Sequence, residues 1–311
     1  MKIIKDCIYG FVEVSDLCLS FLDCPEFQRL RHIKQLGVAH YVYPSAVHTR
    51  FEHSIGVMHL AGEVIKSLRL KGVSISEREK DLVQLAALIH DIGHVAFSHL
   101  MDRILCDEKT GEPHEDRSIE ALNTINKRLN LLSDTEVNSV SRMINGDISF
   151  DEKKFLYEIV SNSSCGMDVD RFDYLQRDSY HTGITGFQPG YLIMCMDVHD
   201  NRLVFKKKSR PEIILACQTR SRLFKTIYRH PVVLKIENVI QEVILQLGIV
   251  KNWENLNWMV LDDHELMYMM KRKEMFNLIL TRGWDKTYTN NSLVDDNLQD
   301  IDFILDCVKF V

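Results

Sequence analysis

The sequence predicts an all-α protein carrying a few short strands. Two Ser/Thr-x-x-Glu capping boxes, at Thr49–Glu52 and Ser76–Glu79, each precede a run whose apolar residues recur at helical spacing, and a third run over 219–247 is helical with one interruption. Strand-like stretches, in contrast, are short and confined to the N-terminus, residues 41–44 and residues 202–205.

In chain order, residues 1–14 alternate loosely around Tyr9-Gly10 and predict a short strand and turn. Pro25 opens a helix carrying Phe27, Leu30, Arg31, Ile33 and Lys34, which ends at Gly37. Tyr41-Val42-Tyr43-Pro44 reads as a strand. The helix capped by Thr49 places His53 in its first turn, and Val57, Leu60, Ala61, Val64 and Leu68 follow on the same stripe, so His53 should point inward. Taken alone, a histidine on an apolar stripe reads as a core residue. The helix capped by Ser76 buries Leu82, Leu85, Ala86 and Ile89 and delivers His90 and Asp91 at its end, where Gly93 is expected to turn the backbone.

Asp102 and His114 flank a loop over 107–113, and a helix follows over 115–132. Residues 131–154 predict only short helical fragments. Residues 155–160 run into a turn at 162–166, and the next helix carries Asp170, Tyr174, Arg177, Asp178 and His181 on one face, which by itself reads as a solvated polar face. A strand at 202–205 leads into Lys206-Lys207-Lys208-Ser209-Arg210, which reads by default as a charged turn, with a phosphate contact or a nuclear import signal as alternatives. Residues 219–247 read as one helix interrupted near His230-Pro231, with Arg220, Tyr228 and His230 on its face, and the polar tract 287–297 as a surface loop.

Composition excludes several classes. The chain has 311 residues, 45% hydrophobic and 26% charged, with a formal net charge of -6, which argues against a protein that coats nucleic acid. Its 8 cysteines form no Cys-x-x-Cys pair and follow no signal peptide, so they read as reduced thiols. No apolar run is long enough for a membrane span. A cytoplasmic location is expected, with the nucleus open through the basic run.

What stands out chemically is the stretch from Ala86 to His99, where three histidines and an aspartate lie within apolar sequence. The adjacent His90-Asp91 pair offers one imidazole nitrogen and one carboxylate oxygen to a divalent ion, and one further histidine and one further carboxylate would complete a protein half-shell.

The order His53, His90-Asp91, Asp170 resembles the HD-domain metal phosphohydrolases. The segments QRLRHIKQLG, HTRFEHSIGV, HDIGHVAFSH, FLYEIVSNSSCGMDVDRFDYLQRD and YRH are similar to the deoxynucleoside triphosphate triphosphohydrolase branch, especially the animal enzymes that join a sterile-alpha-motif domain to an HD domain. The resemblance covers roughly the first three-quarters of the chain. It implies a mostly helical HD core over 1–248, with 249–311 a truncated C-terminal helical segment packed on the same domain. It also implies cleavage of a dNTP to deoxynucleoside and inorganic triphosphate.

By the same resemblance His53, His90, Asp91 and Asp170 bind one divalent metal (Fe, Zn, Mn or Mg) per subunit. His114 takes the catalytic histidine position with Asp102 orienting it, and His94 and His99 lie at the α-phosphate and its bridging 5′ oxygen. Arg50, Arg171, Tyr174 and Arg220 match triphosphate positions, Arg171 standing where the animal enzyme has lysine. Gln35, Leu36, Asp178 and Tyr228 match the sugar pocket, where Tyr228 and Leu36 would exclude a ribose hydroxyl. Lys2, Asp23, Gln28 and Arg31 match a guanine-nucleotide activator site (GTP or dGTP, with Mg), and Val42, Tyr43, Lys208 and Arg210 match part of a neighbouring dNTP site. Phe224 and Arg229 depart from the substrate pocket of the family, and Tyr191 stands where an activator-binding arginine is expected. By this reading neither the sterile-alpha-motif domain nor the full C-terminal lobe of the animal enzymes is expected here, a further departure. The expected partners are dNTPs and further copies of the chain, as a dimer or tetramer. Two other readings stand beside this one: an HD phosphohydrolase of another nucleotide, and a silent nucleotide-sensing or nucleic-acid-binding HD protein.

Overall fold

The loosely alternating N-terminus is a hairpin, β1 (Lys2–Asp6) pairing antiparallel with β2 (Gly10–Val14) so that Asp6 faces Gly10. The structure is a computed structural model and describes residues 2–149, 153–271, 273, 276–281 and 307–310. The tract at 287–297 lies outside them.

Ser15 caps a helix that the strand-and-turn reading did not foresee, α1 (Asp16–Leu22), its hydroxyl accepting from Cys18 N–H. The helix expected from Pro25 is shorter than its apolar spacing suggests: α2 (Pro25–Gln28) tightens into a 3-10 turn over Arg29–His32 and stops at Ile33, whose backbone is extended. Residues 41–44 are not a strand, because a 3-10 turn over Gly37–Tyr41 carries the chain into Val42 and Tyr43, both hydrogen-bonded back to Ala39 O. β-Branched and aromatic content misleads here, since a strand needs a partner and none is adjacent.

Both capping boxes are present. Thr49 opens α3 (Arg50–Leu70) and Ser76 opens α4 (Glu77–Ile89), in each case with the glutamate side chain reaching back to the cap N–H. α3 is the central element; it packs against α4 on one side and α9 (Val169–Thr182) on another, burying Val57, Leu60, Ala61, Val64 and Leu68 as its stripe requires. Between α4 and α9 come α5 (His99–Asp107), α6 (His114–Leu129), α7 (Asp134–Asn145) and α8 (Lys154–Val160). α7 is a regular helix rather than the fragments expected. Its cap is a third box, Ser133 with Glu136, and Gly146 closes it at φ 65°, so its signal was present in the sequence.

α10 (Gly190–Cys195) and the small hairpin β3 (Met196–His199) and β4 (Arg202–Phe205) follow, the latter as expected. The basic run is a 3-10 turn at Lys207–Ser209 that starts α11 (Arg210–Leu223). The helix expected over 219–247 with an interruption near His230-Pro231 is two helices that part at that point. α11 ends in a π-helical turn, Phe224–Tyr228, and α12 (Pro231–Leu247) restarts after His230, where proline occupies the first helical position. α13 (Asp263–Met270) packs on α12, as does α14 (Phe276–Leu280).

Candidate metal centre and active-site cavity

Four side chains from three elements converge beside α3. His53 comes from its first turn, His90 and Asp91 directly follow α4, and Asp170 lies in the first turn of α9. His53 Nε2 is 3.0 Å from Asp170 Oδ1 and 3.5 Å from Asp91 Oδ2, while His90 Nε2 is 3.4 Å from Asp170 Oδ1 and 3.5 Å from Asp91 Oδ1. The other ring nitrogens are engaged: His53 Nδ1 meets Asp173 Oδ2 at 2.8 Å, and His90 Nδ1 meets Ala87 O at 2.9 Å. Since both Nδ1 atoms face acceptors, they carry the protons, and the Nε2 lone pairs are left for a cation. Both Nε2 atoms are buried without a hydrogen-bond partner. Two orphaned lone pairs aimed at carboxylate oxygens fit a divalent ion, and the mixed nitrogen and oxygen set suits a mid-row or hard one.

Asp173 was not foreseen. It lies one turn behind Asp170, where it also accepts from Tyr9 Oη at 2.8 Å and from Arg177 Nε at 2.9 Å; Arg177 in turn reaches Asp6 at 3.0 Å. Asp173, Arg177 and Asp178 are buried, so this face of α9 is an inward one and not a solvated one. The available signal was the i, i+4 pairing of Asp173 with Arg177 inside an otherwise core-facing turn.

The loop after Asp91 brings up a second cluster. Gly93 is needed for approach and not for a left-handed turn: a Cβ there would stand 2.1 Å from His114 O and 2.5 Å from Ser118 N, so the loop can lie directly on the start of α6 only without a side chain. Gly93 N–H donates to Ser118 Oγ at 2.9 Å, and Arg117 Nε donates to Gly93 O at 2.8 Å. His114, first residue of α6, places Nδ1 3.0 Å from Asp102 Oδ2; His94 Nδ1 is 3.2 Å from the same oxygen, and the two imidazoles stack at 3.9 Å. Burial pushes the Asp102 carboxyl up, but the His114 and His94 imidazoles beside it outweigh that and hold the group far below the usual range, where it stays ionised; Arg117 Nη2 also donates to Asp102 Oδ1. Burial, reinforced by the Arg50 charge, lowers His94 and favours its neutral form. His99 is exposed, with Nδ1 3.9 Å from Asp102.

Backbone strain accompanies this loop. Phe97 and Ser98 are consecutive non-glycine residues at φ 59° and 53°. They are pinned there: Phe97 N–H donates to Asp263 Oδ1 at 2.8 Å, and Ser98 Oγ donates to Lys34 O at 3.0 Å while accepting from Arg50 Nε at 2.8 Å. Arg50 also contacts Asp91 through Nη1, and its Nη2 is buried without a partner.

Both clusters open onto one cavity of about 410 Å³, whose walls include Arg50, Asp91, His99, His114 and Asp170. Gln35, Leu36, Tyr174, Asp178, Arg220 and Tyr228 line it too. The π-helical turn presents Tyr228, whose Oη donates to Asp178 Oδ2 at 2.6 Å; Asp178 Oδ1 is 2.7 Å from His48 Nε2. Burial and the Asp178 charge keep the Tyr228 phenol protonated, well above its ordinary range. Arg103 and Glu237, an ion pair at 3.0 Å, add to the wall and were not foreseen; Phe224 and Arg229 line it as well. Arg171 is not among the lining residues. It packs beneath Gly166, where a Cβ would stand 2.4 Å from its Nη2.

None of the residues matched to activator sites lines the cavity. Lys2 and Asp23 approach to 3.9 Å, Arg31 Nε donates to Gln28 Oε1 at 2.8 Å, and the Arg31 guanidinium lies 3.5 Å over the Phe51 ring. Elsewhere Tyr43 Oη donates to Thr226 O at 2.7 Å, Lys208 lies 5.8 Å over the Tyr191 ring, Arg210 starts α11 and Val42 is half-buried.

Comparison with known proteins agrees with this geometry. The HD domain family matches residues 50–178, which span the first histidine to the helix of Asp170. The deoxynucleoside triphosphate triphosphohydrolase SAMHD1 homolog of Dictyostelium discoideum is 39% identical over 255 residues, covering 79% of this chain and 49% of its own. The Homo sapiens deoxynucleoside triphosphate triphosphohydrolase SAMHD1 is 34% identical over 278 residues, covering 79% and 44%. An HD domain-containing protein of Acanthamoeba polyphaga mimivirus is 32% identical over 295 residues, covering 88% and 63%. The chain thus spans about half the length of the curated relatives it matches. Among the described residues no helix is long and apolar enough to cross a membrane. With its helical fold and these relatives, the chain belongs to the HD-domain family, and within it is similar to the deoxynucleoside triphosphate triphosphohydrolases.

Proposed function

We propose that this chain is a metal-dependent dNTP triphosphohydrolase, releasing deoxynucleoside and inorganic triphosphate. The observation that carries the reading is the opening of the His53, His90, Asp91, Asp170 cluster and the Asp102–His114 pair onto one cavity that also holds Arg50, Arg220, Tyr228 and Asp178. His53, His90, Asp91 and Asp170 would hold the ion, which when bound supplies Lewis acidity toward a phosphate oxygen.

The remaining steps belong to the chain's own groups. Asp102 fixes the proton of His114 on Nδ1, so that Nε2 is the nitrogen free to exchange a proton with the reacting group, and protonation of the departing 5′ oxygen is its role. His94, stacked on His114 and neutral, holds that ring in register, and His99 reaches the phosphate from the exposed side. Arg50 and Arg220 offer forked guanidinium donors to the triphosphate. Arg171, half-buried against Gly166, contributes charge from behind and would reach the phosphates only by moving. Tyr174 adds a phenol beside Asp170. Tyr228, fixed by Asp178, packs with Leu36 and Gln35 around the sugar and disfavours a 2′ hydroxyl by sterics. Lys2, Asp23, Gln28 and Arg31 form the guanine-nucleotide activator site, and Val42, Tyr43, Lys208 and Arg210 part of a second, weaker one. The active form is a homo-oligomer.

Product analysis tests the reading. Incubation with each dNTP in oxygen-18 water should yield deoxynucleoside and labelled triphosphate. Orthophosphate or pyrophosphate would replace the substrate assignment, and nucleotide binding without product would replace the enzyme by a sensor.

A further inference from the structure

Among the described residues three groupings of histidine and carboxylate bring their donor atoms within 4.8 Å of one another. Two of them are the clusters of the active-site cavity. The third, His32, Asp262 and His264, lies outside that cavity and plays no part in the chemistry above.

The fold builds this third group from segments more than two hundred residues apart. His32 ends the 3-10 turn after α2, Asp262 caps α13, and His264 is in the first turn of α13. The two imidazole rings lie 5.0 Å apart, tilted by 49°. Neither ring has a hydrogen-bond or ion-pair partner among the described residues. Asp262 Oδ1 accepts from Glu265 N–H at 2.9 Å, an ordinary N-cap that leaves the carboxylate further acceptor capacity. Two protonated imidazoles at this separation would repel, whereas two neutral ones present nitrogen lone pairs beside an anionic oxygen.

We propose that His32, Asp262 and His264 form a second divalent-metal site, of the borderline class represented by Zn²⁺, Co²⁺ and Ni²⁺. Two imidazoles and one carboxylate suit those ions better than Mg²⁺ or Ca²⁺, which favour all-oxygen shells. With only three protein ligands and exposed histidines, water completes the shell and the ion exchanges readily. The site has a structural consequence because of what lies behind it. Arg29 donates to Ile92 O, to His94 O and to Leu261 O, at 2.8, 2.8 and 3.1 Å, and Asp263 accepts from Phe97 N–H and Lys34 N–H at 2.8 and 3.0 Å. Three of these five bonds tie the 29–34 segment or the 261–263 corner to the strained catalytic loop, and the other two, Arg29 to Leu261 O and Lys34 N–H to Asp263, tie the segment and the corner to each other. An ion held by His32 and His264 bridges the same junction from outside, and so fastens α13 to the support of that loop.

The test uses the full chain already loaded with its active-site metal. After equilibrium dialysis against Zn²⁺, elemental analysis should show one additional equivalent bound, with a rise in melting temperature. The double variant H32A/H264A should keep its fold by circular dichroism and its original metal, yet take up no additional Zn²⁺ and show no rise. Uptake unchanged in H32A/H264A, or abolished instead by H99A, would overturn the proposal by assigning the extra ion elsewhere; so would a parent chain that takes up none. The result does not depend on which nucleotide is hydrolysed.

Discussion

One carboxylate, Asp173, decides which nitrogen of His53 faces the metal position. Its oxygen holds the Nδ1 proton at 2.8 Å, and an asparagine there can present an N–H instead and invert the tautomer. Asp173→Asn should therefore weaken metal binding by about 10- to 100-fold, read by competition with a chelator; an unchanged affinity would show that His53 is oriented by packing alone. Asp102 makes a different prediction, through pH. Its native carboxyl lies far below the unfolded value of about 3.9, so the stability it contributes is complete above that value and is lost as pH falls through the native one. The melting temperature of Asp102→Asn should fall furthest behind the parent near neutrality, and the gap should begin to narrow only below about pH 4, shrinking progressively with further acidification. A gap that stays constant with pH would mean that the histidines and Arg117 do not stabilise the ionised form.

At the scale of elements, the site depends on close backbone approach. Gly93→Ala puts a methyl group into the backbone of α6 at His114 and Ser118, atoms that cannot rotate away. The loop or the helix must shift, at a cost of about 1–3 kcal/mol or more, and His114 must move relative to Asp102. Denaturant unfolding should show that loss together with a drop in turnover; a variant of parental stability and activity would mean that the loop relaxes without strain. The left-handed Phe97 and Ser98 are held by Asp263, Lys34 and Arg50, contacts from three separate elements. The π-helical turn is similar in kind, since an extra residue in one turn of a helix re-aims Tyr228 toward Asp178.

For the whole molecule, the expectation concerns assembly and activation. Lys2, Asp23, Gln28 and Arg31 supply an ammonium, a carboxylate, an amide and a guanidinium, a set able to meet a triphosphate and a guanine edge. Tyr191, stacked near Lys208, supplies no second guanidinium to the neighbouring group. The chain should show basal activity, modest stimulation by GTP or dGTP, and an oligomer that exists before nucleotide is added, because activator and assembly are linked only where nucleotide binds the two states differently. Sedimentation with and without GTP, beside rates on a single dNTP, decides this. A monomer inactive until GTP assembles it would reverse the expectation.

Local rules in the sequence were enough for the helical class, for α3 and α4 with their capping boxes, for the inward stripe of His53, and for the pairing of His90 with Asp91. They were enough because caps and apolar periodicity act within a few residues. The third box at Ser133 was equally legible, though the helix it opens was read as fragments. The family resemblance then pointed to Asp170 and to His114 with Asp102. Tertiary structure alone decided the rest. It turned the polar face of α9 inward, since Asp6 and Tyr9 from a distant hairpin satisfy Arg177 and Asp173. It replaced the strand at 41–44 by a 3-10 turn, wound residues 224–228 into a π-helical turn, and set His32 against His264. Each of these outcomes depends on a partner far away in the chain, and the free energy that selects it comes from burying or pairing groups that are not neighbours until the chain has folded.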